Sequence, residues 1–250
     1  LKNTKKVLQP AGFVTDSYAQ TSNNIEHQKF IPVEPSWVFV NSGRIPLPNP
    51  VLGTMAFGSN GKIFHHSSGE FGHGYALCLA CGRADSMQTA EEFPYNLSPT
   101  REHFSPRPEK SDKDNNNRRL PCSGSSTLIP NVVLGAYSFT DVFEITLRHP
   151  ESGEYLSDKI EEHRAIAITL AVALRYAQAG ILGISASELG YSIRPSKLEG
   201  GATALIIQLY DNISGGAGFA SCAPDHIERL LIDMVEKLNC DHCSSSCSEC

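Results

Sequence analysis

Cys240-Asp241-His242-Cys243-Ser244-Ser245-Ser246-Cys247-Ser248-Glu249-Cys250 sets four cysteines in the pattern C-x2-C-x3-C-x2-C. Just before it, Ile227, Leu230, Leu231, Met234, Val235 and Leu238 recur at the i, i+3, i+4, i+7 spacing of an amphipathic helix, roughly Asp225 to Leu238. Pro224 stands at the helix start, where a missing N–H costs nothing. Thiolates are soft donors, and four of them match the tetrahedral preference of Zn²⁺. Two disulfides are the competing use. They suit a small secreted domain, whereas no secretory segment opens this chain and 250 residues can build a core without staples. Four thiolates leave no coordination position open, so the expected zinc at Cys240, Cys243, Cys247 and Cys250 is structural rather than catalytic.

A second cysteine group lies upstream. Leu77-Cys78-Leu79-Ala80-Cys81-Gly82 is a C-x2-C knuckle followed by the glycine that a turn under a metal favours. Cys122, in Pro121-Cys122-Ser123-Gly124, is a third ligand. The fourth is open between His103, His73 and Cys222; His103, which lies between the two halves, is the choice. Cys222 has no partner at metal spacing and reads as a buried thiol. Ser98 to Arg119 is polar and proline-containing and reads as a mobile loop, in which Lys110, Lys113, Arg118 and Arg119 are the candidate DNA contacts. A metal joining its ends would restrict it.

Composition excludes several functions. A formal charge of −6 and a pI near 5.8 lack the broad positive field of a free-standing nucleic-acid binder. Any contact with DNA must then be local and weak for this chain alone. The longest apolar run, Ala165 to Leu174, is too short to span a bilayer, and the chain reads as cytoplasmic. Residue 1 is Leu, so a longer polypeptide is expected to contain this segment.

The predicted class is α+β: mixed small sheets with a buried central helix and an amphipathic C-terminal helix capped by the four-cysteine zinc site, after an irregular β-rich zinc-finger region. The expected division is 1–131 and 132–250. In the first part Trp37–Val40 is a strand, and Lys62–His65 is a hairpin arm after the Asn60-Gly61 turn. In the second, Phe139 to Leu147 alternates as a half-buried strand. Asp158 with Glu161 caps a helix running to Gly180, apolar nearly all round beyond Arg164. Tyr191–Ile193 is a weak strand, and Ala204–Tyr210 is an interior one, apolar on both faces.

Candidate chemistry is sparse. Gly215-Gly216-Ala217-Gly218 after the interior strand could offer N–H groups to a phosphate, but reads better as a tight turn. Gly58 to Ile63 lacks the phosphate-loop spacing, and Gly183 to Ser187 lacks the closing glycine of a nucleophile elbow. Asp141, Glu188 and Asp211 could hold Mg²⁺ for phosphodiester cleavage, which makes a nuclease the alternative function; acids at element ends are more often caps. No Walker lysine or DEAH motif is present.

Thr140-Asp141-Val142, the helix ending Ala173-Leu174-Arg175, Ser187-Glu188-Leu189, and Leu209-Tyr210-Asp211 with Gly215-Gly216-Ala217-Gly218-Phe219 occur in that order before the last helix and its cysteines. Together, over about residues 132–250, they resemble the zinc-binding domain named after the bacterial repair helicase MrfA. That domain is found C-terminal to superfamily 2 DEAD/DEAH-box helicases and in DrmB-type proteins of the DISARM anti-phage system. Pro10, Gly12 and Phe13, with Cys78-x2-Cys81-Gly82 and Cys122-Ser123-Gly124, resemble the extra zinc finger that precedes it in larger members. The resemblance implies a noncatalytic appendage that braces a helicase core, in cis or on a partner subunit, and helps it grip DNA in repair or anti-phage defence.

Overall fold

The computed structural model describes residues 6–11, 34–40, 42–108, 119–198 and 201–239. Cys240, Cys243, Cys247 and Cys250 therefore lie outside the described residues, as do Lys110, Lys113 and Arg118 and the side chain of Arg119. The strands are β1 (Lys6–Leu8), β2 (Glu34–Phe39), β3 (Ile45–Pro46), β4 (Gly53–Ser67), β5 (Tyr75–Cys78), β6 (Ala84–Ser86), β7 (His103–Pro108), β8 (Arg119–Cys122), β9 (Leu128–Leu147), β10 (Leu189–Lys197) and β11 (Thr203–Asp211). The helices are α1 (Glu161–Leu182) and α2 (Ile227–Leu238). Mixed α and β structure with mostly antiparallel pairing is the α+β class expected. The chain divides into two compact units, residues 1–34 with 65–136, and residues 35–64 with 137–250.

In the second unit the strand order is β10-β11-β9-β4-β2. β11 pairs antiparallel with β9 (Gln208 opposite Glu144, Leu209 opposite Phe143) and with β10 along its whole length. Period 2 then sorts the side chains. Phe143, Ile145, Leu205, Ile207 and Leu209 share a core with Ala167, Ala171 and Leu174 of α1 and Leu230 and Met234 of α2. Alanines on the buried side of α1 let the helix lie close to the sheet. The opposite face buries Val142 and Tyr210 with Val38, Val40, Ala56 and Ile63.

Several expectations change. Phe139–Leu147 is not half-buried: every residue from Thr140 to Thr146 is buried, because β2 and β4 supply a second cover. Asn60 adopts a left-handed φ of 69°, yet β4 runs on through it, so no hairpin forms there. At Gly61 a Cβ would collide with the Val142 side chain, so the missing side chain lets β4 press against β9. The Asp158–Glu161 cap does not form either. Ile160 occupies the N-cap of α1 without a side-chain cap, and Glu161 and Glu162 face the positive end of the helix dipole. Nor is α1 buried all round: Ile166, Ile168 and Tyr176 on its outer side are 46%, 42% and 51% exposed. With 22 residues, of which an 18-residue stretch has a mean hydropathy of 1.6, α1 is long and apolar enough to cross a membrane, contrary to the shorter run expected. Its inner side nonetheless belongs to the core just described.

In the first unit β5 pairs with β6 and with the start of β9, which also receives β1 in parallel. β7 and β8 form a separate antiparallel pair. The stretch 98–119 is thus not all loop, since His103–Pro108 is a strand anchored by the buried His103.

Candidate metal centre

Four donors converge in the first unit. The ligand atoms of Cys78, Cys81, His103 and Cys122 all lie within 4.8 Å of one another. Each is placed by local backbone structure. β5 delivers Cys78 to its end, and the chain then turns through Leu79-Ala80-Cys81-Gly82, with Gly82 N–H donating to the Cys78 carbonyl (2.8 Å) and Gly82 at a φ of 79°. His103 and Cys122 are directly opposite in the β7–β8 register, so one strand pair presents both. Gly124 closes the second turn. A Cβ there would meet Ala80 Cβ at 2.7 Å and Cys78 Sγ at 3.1 Å. The Gly124 N–H donates to Cys122 Sγ (3.4 Å), and the Thr127 hydroxyl lies 3.6 Å from Cys78 Sγ.

The spacing fits zinc. Cys78 Sγ is 3.9 Å from Cys122 Sγ, and Cys81 Sγ is 3.5 Å from His103 Nε2. Tetrahedral Zn–S and Zn–N bonds of about 2.3 and 2.0–2.1 Å require edges of about 3.8 Å (S–S) and about 3.6 Å (S–N). Charge points the same way. Burial pushes the Cys78 thiol up, but the backbone N–H groups of Cys81 and Ala80, the Thr127 hydroxyl and His103 outweigh it, and the thiol ends at about 6. Cys81 is pushed up to about 11, by burial first and then by the sulfurs of Cys78 and Cys122, against the backbone N–H of Arg83. One thiolate is favoured and the next resisted, and a divalent cation removes that resistance. His103 is 2% exposed, with its Nδ1 buried and lacking a hydrogen-bond partner among the described residues. Zinc is the cofactor this donor set suits, and a complete set of four is a structural site.

The other candidate ligands lie elsewhere. His73 is exposed. Cys222, in the second unit and only partly buried, donates its S–H to the Phe219 carbonyl (3.4 Å), and burial raises its pKa. The three acids of the nuclease alternative form no ligand group among the described residues, where the thiol–imidazole cluster is the metal-competent one. Asp211 accepts N–H bonds from Ala217 (2.6 Å), Phe219 (3.1 Å) and Ala220 (2.8 Å), and Asp141 accepts one from Gly218 (2.9 Å). Glu188 is exposed. The glycine-rich turn therefore directs these N–H groups to its own carboxylates, which accounts for it as a tight turn. At Gly216 a Cβ would collide with the Asp141 carboxylate. Sequence reasoning passed over a buried polar cluster of Arg44, Glu144, Arg194 and Gln208 in the second unit. The available signal was a charged and an amide residue, Glu144 and Gln208, inside otherwise apolar strands.

The fold and site thus define a zinc-binding module, with four donors gathered as a structural site requires. Residues 170–250 match the family described as the MrfA Zn-binding domain. The Druantia protein DruE of Escherichia coli (strain UMEA 4076-1) is 28% identical over 190 residues, covering 71% of this chain and 9% of DruE. The crystal structure of the helicase MrfA bound to DNA aligns with 89% of this chain and 22% of its own, at 11% identity and a TM-score of 0.45. The chain spans less than a quarter of either relative.

Proposed function

We propose that this chain is a noncatalytic, zinc-held accessory region of a DNA helicase, bracing a motor in cis or on a partner subunit and contacting DNA in repair or anti-phage defence. The observation that carries the proposal is the match of residues 170–250 to the MrfA Zn-binding domain. The second donor group, Cys78, Cys81, His103 and Cys122, agrees with it, because a module held at two places by metal is built for rigidity. The ligand assignments, the cytoplasmic location and the absence of catalysis are parts of the same reading. Asp141 and Asp211, the acids a nuclease would need, are engaged by the turn that follows β11.

Strand unwinding and single-stranded DNA affinity of the complete helicase assembly, with and without residues 132–250 and at matched salt, test the proposal. The expected result is loss of unwinding and weaker DNA binding on deletion, with the motor still folded. Unchanged unwinding and affinity would overturn the bracing and gripping roles. Mg²⁺-dependent plasmid nicking by this chain, abolished in a folded Asp211→Ala variant, would establish the nuclease instead.

A further inference from the structure

The second unit contains a polar cleft that the zinc reading does not use. Glu144, 1% exposed, lies at its floor. Its carboxylate accepts from Arg44 Nη2 (2.7 Å), Arg194 Nη2 (3.2 Å) and Gln208 Nε2 (2.6 Å). Arg44 Nη1 donates to the Thr146 hydroxyl (2.6 Å), and Gln208 Nε2 also donates to the Val38 carbonyl (2.9 Å). The register explains the gathering. Glu144 on β9 faces Gln208 on β11, and Arg194 on β10 projects from the same side of the sheet. Above them opens a cavity of about 320 Å³, lined by Arg44, Glu144, Arg194, Ser42 and Ser196, with Phe39 at one side.

The charges do not cancel. Two guanidinium groups meet one carboxylate, and no other acid among the described residues lines the cavity. Arg194 Nε is buried and has no hydrogen-bond partner among the described residues. Buried donors of this kind are costly unless matched, and a guanidinium fork matches the oxygens of a phosphate. Arg44 and Arg194 both line the opening and remain 26% and 19% exposed, while Glu144 holds one terminal nitrogen of each. Glu144 thus orients the two arginines and leaves one positive charge in surplus, in a chain whose formal charge is −6.

We infer that the Arg44–Arg194 cleft binds one phosphate group of a nucleic-acid strand. This rests on the reading that the region meets DNA, and it locates one such contact at a fixed point in the second unit instead of among the basic residues at 110–119. The phosphate chemistry is shared with free inorganic phosphate, so the test uses both.

Ser196 lines the cleft and takes no part in the Glu144 pairing, which makes it the position to vary. Thermal shift of the complete chain is read in inorganic phosphate against chloride at equal ionic strength. Affinity for a fluorescent oligothymidylate is read by anisotropy. Wild type and Ser196→Asn should both gain Tm in phosphate. Ser196→Asp should lose that gain and bind the oligonucleotide about tenfold more weakly, the size expected of one like charge at a partly buried site. Ser196→Lys should move both readings in the opposite direction, so the inference does not depend on one variant folding well. Absence of a phosphate-specific shift in wild type, or an equal shift in Ser196→Asp, would overturn the site. Loss of the phosphate shift with unchanged oligonucleotide affinity would overturn the assignment to nucleic acid. Zinc content is the separate control: a failed cleft with zinc retained leaves the accessory-module reading standing, and a failed helicase deletion leaves the phosphate shift to be judged by itself.

Discussion

Two glycines near the thiol cluster are held for different reasons, and substitution separates them. Gly82 has open space around it but a φ of 79°, so Gly82→Ala meets only backbone strain, of about 1–2 kcal/mol. Gly124 is crowded, since a Cβ would push on Ala80 and on Cys78 Sγ itself. Gly124→Ala should destabilise the chain by about 1–3 kcal/mol. It should also release zinc to a chelator sooner, because the displaced atom is one of the four donors that we propose hold it. Denaturant unfolding combined with a chelator competition would show the two behaviours: comparable stability losses, but faster metal release for Gly124→Ala alone. The knuckle was legible from sequence because Cys-x2-Cys-Gly is contiguous and its glycine has a conformational purpose. The place of His103 was not so legible. It depends on a β7–β8 register that pairs residues 19 apart in number, His103 with Cys122, within a segment whose polar composition argued for a loop.

At the level of elements, β9 shows why pattern reading stops where it does. Its alternation correctly separates Phe143 and Ile145 from Val142 and Glu144, but alternation alone cannot say whether the polar side is wet. Here β2 and β4 cover it, and Glu144 becomes a buried carboxylate served by two arginines and an amide. β11 carried less ambiguity, being apolar on both faces, and it is interior as expected. Helix α1 gives the converse case: an apolar sequence with one side in the core and the other outward. Leu174→Ala, at a position 1% exposed, should cost about 2–5 kcal/mol through the cavity left against the sheet. Ile168→Ala, at 42% exposure, should change stability by no more than about 0.5 kcal/mol. Equal losses in urea denaturation would mean that the outer side of α1 is also covered in solution.

For the molecule as a whole, metal is the organising idea. The first unit closes around Cys78, Cys81, His103 and Cys122. The stretch of the second that matches the MrfA Zn-binding domain begins within α1 and includes the cysteines at 240, 243, 247 and 250, which we propose as a second zinc site. We propose both as structural sites, with four protein ligands each and no coordination position left open. Metal analysis of the purified chain, as wild type and as the Cys81→Ser/Cys122→Ser double variant, tests this most directly. The account predicts two zinc ions per chain in wild type and one in the variant. Less than one zinc per wild-type chain, or a double variant that keeps the full wild-type content, would contradict it.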